Sequence, residues 1–243
     1  LQFPDGHHAA FPDRIPKALK FDTHPEDQYS RLYSSTMDNM IASLQLPRYG
    51  LSEYISEQET AEASPSIKKQ LENLNQAGRR MMGFCRSTFY KRMDSCGLAF
   101  LLTLYRHALR NMVYMYAIEK GLPLPISDEN ALPEDYIEDM PETETLFSKD
   151  SDSAIKIGQT IEIPTDKSVY EQQAIEYYAN IQQKNGINWI NPKYFTAKLQ
   201  AHLKKDFNTL MKMITYCQAW NPMEDQKMAK LEEVLTKYHR DEK

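Results

Sequence analysis

Glycine is scarce in this chain, with eight residues among 243, none adjacent to another. Neither a GxxxxGKS/T loop nor a GxGxxG turn can be assembled from them, so no backbone cradle for nucleotide phosphates is present and the chain alone is not expected to hydrolyse ATP. Cysteine is rarer still. Cys85, Cys96 and Cys217 have neither CxxC spacing nor a neighbouring histidine pair, and an odd number argues against a disulfide framework. A reducing compartment and buried, inert thiols are expected. The six histidines, His7, His8, His24, His107, His202 and His239, form no HExxH and no His/Cys pair at ligand spacing, so no metal site and no catalytic residue is expected. His7 and His8 read as part of a solvated loop, and His107 and His202 as surface or hydrogen-bonded, half-buried side chains. Long apolar runs are missing as well. The longest, around Leu98 to Leu104, falls far short of the roughly 20 residues that cross a bilayer, and no basic-then-apolar leader opens the chain. A cytoplasmic protein with no membrane partner is expected, and the opening Leu1-Gln2-Phe3-Pro4 reads as the start of a piece excised from a longer polypeptide.

What the chain does contain favours helix. Apolar residues make up 41% of it, ample for a core, and Leu, Met, Lys, Glu, Gln and Ala fill the long periodic stretches. The expected class is mainly all-α: a multi-helix bundle with one or two short strands and a long acidic loop. Residues 1–24 carry Pro4, Pro12 and Pro16 and read as an extended lead-in ending in a short strand, Ala18 to Asp22. Residues 25–121 form a first helical subdomain. Thr23, with Pro25 and Glu26 behind it, starts a helix predicted to run from Pro25 to about Leu44. A short helix follows over Leu51 to Glu57, and Ser64-Pro65 opens another whose stripe begins Ile67, Leu71, Leu74 and which Gly83 is expected to kink or interrupt. The clearest helix spans Asp94 to Lys120, with Leu98, Leu101, Leu102, Tyr105, Leu109, Met112, Val113 and Tyr116 on one stripe and Gly121 as C-cap.

Residues 122–166 form a proline-containing acidic linker or insertion, in which Ile155 to Ile157 and Ile161 to Ile163 alternate like a small hairpin. Residues 167–243 form a second helical segment. Its helices are predicted at Lys167 to Lys184 with Gly186 as a stop, at Pro192 to Ala219, where Leu199, Leu203, Phe207, Leu210, Ile214 and Cys217 make a stripe, and at Met223 to Tyr238.

Charge is unevenly distributed. The net charge is −5, yet ten carboxylates against the single Lys149 lie between Asp128 and Asp152, so the rest of the chain is net basic. A solvated acidic linker accounts for Glu134-Asp135 and Glu138-Asp139 without an acid–base pair or cation site. Between Lys68 and Arg110 stand nine bases, Lys68, Lys69, Arg79, Arg80, Arg86, Lys91, Arg92, Arg106 and Arg110, against Glu72 and Asp94. Lys and Arg contacts to phosphates supply sequence-independent affinity for nucleic acid. An ordinary solvated helix face explains the run equally well.

Several stretches carry a resemblance. Phe11-Pro12-Asp13-Arg14, Ala18 to Asp22, and Gln28-Tyr29 with Leu32-Tyr33 resemble the segment that follows the first RecA-like lobe in Swi/Snf-type superfamily 2 helicases. Lys91-Arg92-Met93-Asp94-Ser95-Cys96 with Ala99-Phe100 is similar to the "KRLESS..AF" element of a bacterial subgroup, with Met93, Asp94 and Cys96 where that subgroup has Leu, Glu and Ser. Asn221-Pro222-Met223-Glu224-Asp225-Gln226-Lys227 with Leu231 is similar to its "D..DDPK...L" junction, with Gln226 in place of a proline. The resemblance implies a helical insertion between two motor lobes of an ATP-dependent helicase or translocase. ATP and Mg would then bind at the flanking RecA-like lobes and no cofactor in this chain, while the helices brace the lobes and contact DNA. Lys91 and Arg92 are the first candidates for that contact, followed by Arg79, Arg80 and Arg86. The alternative is a protein–protein interaction bundle with no nucleic-acid role, and a small enzyme with an unfamiliar site is a third reading.

Overall fold

The computed structural model describes residues 20, 24, 27–126, 163–183, 187–217 and 219–238; the side chains of 75–80 and 238 lie outside the described set. Among the described residues the order is α1 (Gln28–Leu32), α2 (Ser35–Ser43), α3 (Glu57–Ala61), α4 (Pro65–Ser95), α5 (Gly97–Glu119), β1 (Leu124–Ile126), α6 (Lys167–Gln182), β2 (Asn188–Ile190), α7 (Ala197–Cys217) and α8 (Gln226–Tyr238). Single 3-10 turns stand at Pro47–Tyr49, Leu51–Tyr54, Pro192–Tyr194 and Pro222–Glu224. The chain is mainly helical.

A helix with a broad apolar surface must be enclosed, and α5 is the helix at the centre of the packing. Phe100, Leu101, Leu104, Tyr105, Ala108 and Leu109 are all buried, with α4, α6 and α7 packed around them. The described residues of 27–121 and 167–238 thus contribute to one hydrophobic core. Gly121 ends α5 as its sequence position predicts. It adopts φ 64°, its N–H donates to the Ile118 carbonyl at 3.1 Å, and the Leu122 N–H donates to that of Ala117 at 2.8 Å, the paired bonds of a left-handed helix cap.

Other boundaries differ from expectation. The helix predicted from Pro25 to Leu44 is two helices, because Ser34 ends one and begins the next: its Oγ accepts from the Met37 N–H at 3.2 Å. Asp27 caps α1 by accepting from the Tyr29 N–H at 3.1 Å. The Thr23 and Glu26 start signal and the strand at 18–22 lie outside the described residues, apart from Lys20. α4 passes through Gly83 without interruption. The break falls instead at Cys96, which is extended at φ −160° and ψ 136°. Gly97 there packs under Trp220: a Cβ added to Gly97 would lie 2.0 Å from the indole Cη2.

One strand pair not expected from the sequence is present among the described residues. β1 and β2 run antiparallel with Leu124 opposite Ile190, Pro125 opposite Trp189 and Ile126 opposite Asn188. Pro125 is tolerated because each strand of a two-stranded sheet keeps an open edge. The hairpin predicted over 155–163 lies outside the described residues except for Ile163, as do Gly186 and the acidic run 128–152. Among the described residues, no helix is long and apolar enough to cross a membrane.

Two glycines make opposite predictions. Gly83 is exposed with nothing within 4 Å of an added Cβ, so Gly83→Ala gains about 0.5–1 kcal/mol of helix propensity and raises Tm by about 1–4 °C. Gly97→Ala displaces the Trp220 indole, costs about 1–3 kcal/mol and lowers Tm. Calorimetry on the two variants reads both signs, and an unchanged Tm for Gly97→Ala would refute the constraint.

Candidate functional site

Two buried polar assemblies organise the fold, and the exposed basic residues lie beside one of them. The first surrounds the turn at residues 44–49. Leu46 has φ 53° and ψ 49°, a left-handed conformation costing a residue with a Cβ roughly 1–2 kcal/mol. Asp206 of α7, only 1% exposed, holds it: one carboxylate oxygen accepts from the Gln45 N–H at 2.9 Å and the other from the Leu46 N–H at 2.7 Å. Burial pushes the Asp206 carboxyl up, while those two N–H groups, Arg48 and His202 pull in the other direction. From α4, Arg86 donates to the Leu44 carbonyl at 2.8 Å.

Arg48 carries the network into α5. Its Nε donates to Asn111 Oδ1 at 2.8 Å, and its Nη2 lies 3.2 Å from His107 Nδ1. Burial first, then the positive charges of Arg48 and Arg110, hold the His107 imidazole far below the usual histidine range. It is neutral, and because a guanidinium only donates, Nδ1 is the acceptor and the proton sits on Nε2. The expectation of a surface or half-buried histidine is corrected here: His107 is buried, packed against Phe89 at a ring separation of 4.7 Å. His202 is half-buried and bonded to the Tyr54 hydroxyl at 2.9 Å. Tyr54, His202 and Asp206 superficially suggest a nucleophile, a base and an orienting carboxylate. Burial, however, pushes the Tyr54 phenol up to about 12, and both Asp206 oxygens already serve backbone N–H groups. The arrangement is a brace.

The second assembly joins the first and last described helices. Gln28 closes a two-bond ring with the backbone of Asn221: Nε2 donates to its carbonyl at 3.0 Å and Oε1 accepts from its N–H at 2.7 Å. The buried Tyr29 hydroxyl donates to Asp225 Oδ1 at 3.0 Å, while its ring meets Trp220 edge-on at 5.2 Å. Asp225 also caps α8, accepting from the Met228 N–H at 3.0 Å. Burial and the Asp225 charge push the Tyr29 phenol far up. The Lys227 ammonium lies over the rings of Tyr29 and Tyr33 at 5.1 and 5.3 Å and donates to the Tyr33 hydroxyl at 2.6 Å and the Asp94 carbonyl at 2.5 Å. From this clasp α8 emerges with Met228, Leu231 and Leu235 each more than half exposed.

The basic residues divide. Lys91 and Arg92 are exposed near the end of α4, three and two residues before Asp94, whose carbonyl Lys227 holds. Arg79 and Arg80 belong to α4, with side chains outside the described set. Arg86 is half-buried and donates from one Nη to the Leu44 carbonyl, so at least part of its guanidinium braces the 44–49 turn. Arg110 is buried, and α4 and α5 are separate helices, so the nine bases of 68–110 do not share a face. Sequence reasoning missed Arg48, Asp206 and the pairing of Gly97 with Trp220. Asp206 left a readable signal: it falls three residues after Leu203 and four before Leu210, on the apolar stripe of α7. Cys85 and Cys217 are buried, with the Cys217 thiol pushed up to about 12 by burial, whereas Cys96 is half-buried.

Comparison with family models, with curated proteins and with solved structures finds no match for this chain. Among the described residues, no group of three His, Cys, Asp or Glu side chains is placed to hold a metal ion.

His107 makes stability depend on pH. Its folded pKa lies below the unfolded value near 6.5, so the unfolded chain binds the extra proton; the stabilisation is complete above pH ~6.5 and declines as pH falls, by up to about 1.4 kcal/mol per unit. Between pH 6.5 and 5, Tm should drop more steeply in the wild type than in His107→Gln. Parallel slopes would show that the imidazole titrates normally.

Proposed function

We propose that this chain is a helical accessory domain inserted between the two motor lobes of an ATP-dependent Swi/Snf-type superfamily 2 helicase or translocase, working in the cytoplasm. It braces the lobes and presents Lys91 and Arg92 to the DNA backbone. One observation carries this reading. The stretches Gln28 to Tyr33, Lys91 to Phe100 and Asn221 to Lys227, which resemble that family and lie far apart in the chain, meet in one clasp through Tyr29, Gly97, Trp220, Asp225 and Lys227.

A domain tied to a host at both its ends needs those ends held together, so that a displacement of either is transmitted to the core rather than absorbed by fraying. The clasp does this with a buried indole, a buried carboxylate and a backbone-paired amide. α5 then links the clasp to the Arg48 network, and the two together make the helices one stiff body. ATP and Mg belong to the flanking lobes.

Fluorescence anisotropy with a labelled DNA duplex tests the reading. The chain should bind with an affinity that falls as salt rises, and Lys91→Ala/Arg92→Ala should weaken binding and shallow the log–log salt slope by about 1.8. Equal affinity and equal slope in the variant would reject the role of this pair. The exposed stripe of α8 favours a second reading, a protein-interaction bundle, which is the one supported if the duplex does not bind at any salt and a partner protein shields α8 from hydrogen exchange.

A further inference from the structure

We propose that the outer face of α4 around Phe84 binds unpaired nucleic acid, with the Phe84 ring stacking on a base while Lys91 and Arg92 contact the flanking phosphates. The inference rests on the reading of Lys91 and Arg92 given above and names the form of nucleic acid that this face accepts.

Three observations converge on it. Phe84 is 58% exposed, although it is the kind of side chain a fold buries first. Lys91 stands seven residues on, two helical turns and about 10.5 Å along the same side of α4, a separation that a nucleotide step and an extended lysine side chain span together. The surroundings of the ring are low and open: Gly83 and Ser87 are exposed, and a Cβ on Gly83 would meet nothing within 4 Å. Nothing in the fold requires a glycine there, and a glycine within a helix is unfavourable relative to alanine. Close approach by a ligand is a reason to keep one.

Charge selects the ligand. From Asn73 to Met93 the sequence holds five bases, Arg79, Arg80, Arg86, Lys91 and Arg92, and no carboxylate. With Arg86 engaged at Leu44, the exposed Lys91 and Arg92 supply the positive charge that attracts a polyanion to this face. An aromatic ring standing free beside cations matches a strand with unpaired bases, because every base offers a π face and the backbone supplies the phosphates. Duplex bases are already stacked on one another and would leave Phe84 idle. A lipid surface fits poorly, since membrane-seated helices carry a broad apolar face, and here a single exposed ring shares its helix with the exposed Ser87, Lys91 and Arg92.

The test uses the full chain and fluorescein-labelled oligodeoxythymidylate of about 15 nucleotides, a length within the usual range for such sites, beside a duplex hairpin. The wild type should bind the single strand more tightly than the hairpin. Phe84→Ala should weaken single-strand binding by about 10-fold with hairpin affinity and Tm unchanged, and Phe84→Trp should restore it. Equal single-strand affinity in Phe84→Ala overturns the inference; if Lys91→Ala/Arg92→Ala still shallows the salt slope in that case, the basic-face reading survives without it. Loss of neither affinity nor slope in any variant overturns both. Preferential binding to phosphatidylserine vesicles, abolished by Phe84→Ala, also overturns it.

Discussion

Trp220 needs a place to lie, and Gly97 provides it by having no side chain. The indole is almost wholly buried and occupies the space a Cβ at Gly97 would fill. That contact decides where α4 ends and α5 begins, since the chain must turn at Cys96 to bring a bare backbone against the ring. It also helps set where the C-terminal segment returns, because Asn221 and Asp225, one and five residues after Trp220, bond to Gln28 and Tyr29 beside the seated indole. Burying a large aromatic ring is among the stronger single contributions to a core, and here it aligns three segments that are remote in sequence.

The charged groups inside the fold follow a different logic. A buried carboxylate or guanidinium is costly unless its hydrogen-bonding capacity is met. Asp206 and Arg48 meet it largely with neutral partners, backbone N–H groups, an asparagine amide and a neutral imidazole, whereas Arg86 donates to the Leu44 carbonyl and leaves its buried Nε without a partner among the described residues. Such bonds are directional, and they hold a turn with a left-handed leucine in one geometry. Polar groups at the junction of α4, α5 and α7 thus set the relative placement of helices whose apolar faces alone would tolerate sliding.

Much of the helical framework is legible in the sequence because it is written in local periodicity. The stripes of α5 and α7 and the Gly121 cap depend on spacings of three and four residues and on one residue's freedom at positive φ. The break at Cys96 is not legible, since the apolar period runs through it and the reason for it, Trp220, lies far along the chain. The basic run shows the same limit. Counting Arg86 and Arg110 with Lys91 and Arg92 treats position as direction, whereas Arg86 turns to the Leu44 carbonyl, Arg110 is buried in α5, and Lys91 and Arg92 stand in solvent. Phe84 and Phe89 are alike in sequence, two aromatic residues of α4, and only burial separates the exposed first from the enclosed second. Asp206 is the intermediate case, visible as a carboxylate on an apolar stripe, with its partners at Gln45 and Leu46 set only by tertiary packing.

The attachment of α8 has a mechanical corollary. An isolated helix of that length is marginal in water, and few of its side chains reach the core, so its order derives mainly from Asp225 at its N-terminus and Lys227 one step later. Helical order there is borrowed from the clasp. A pull on the junction that separates Asp225 and Lys227 from their partners would therefore leave α8 to fray from its first turn rather than swing as a rigid arm.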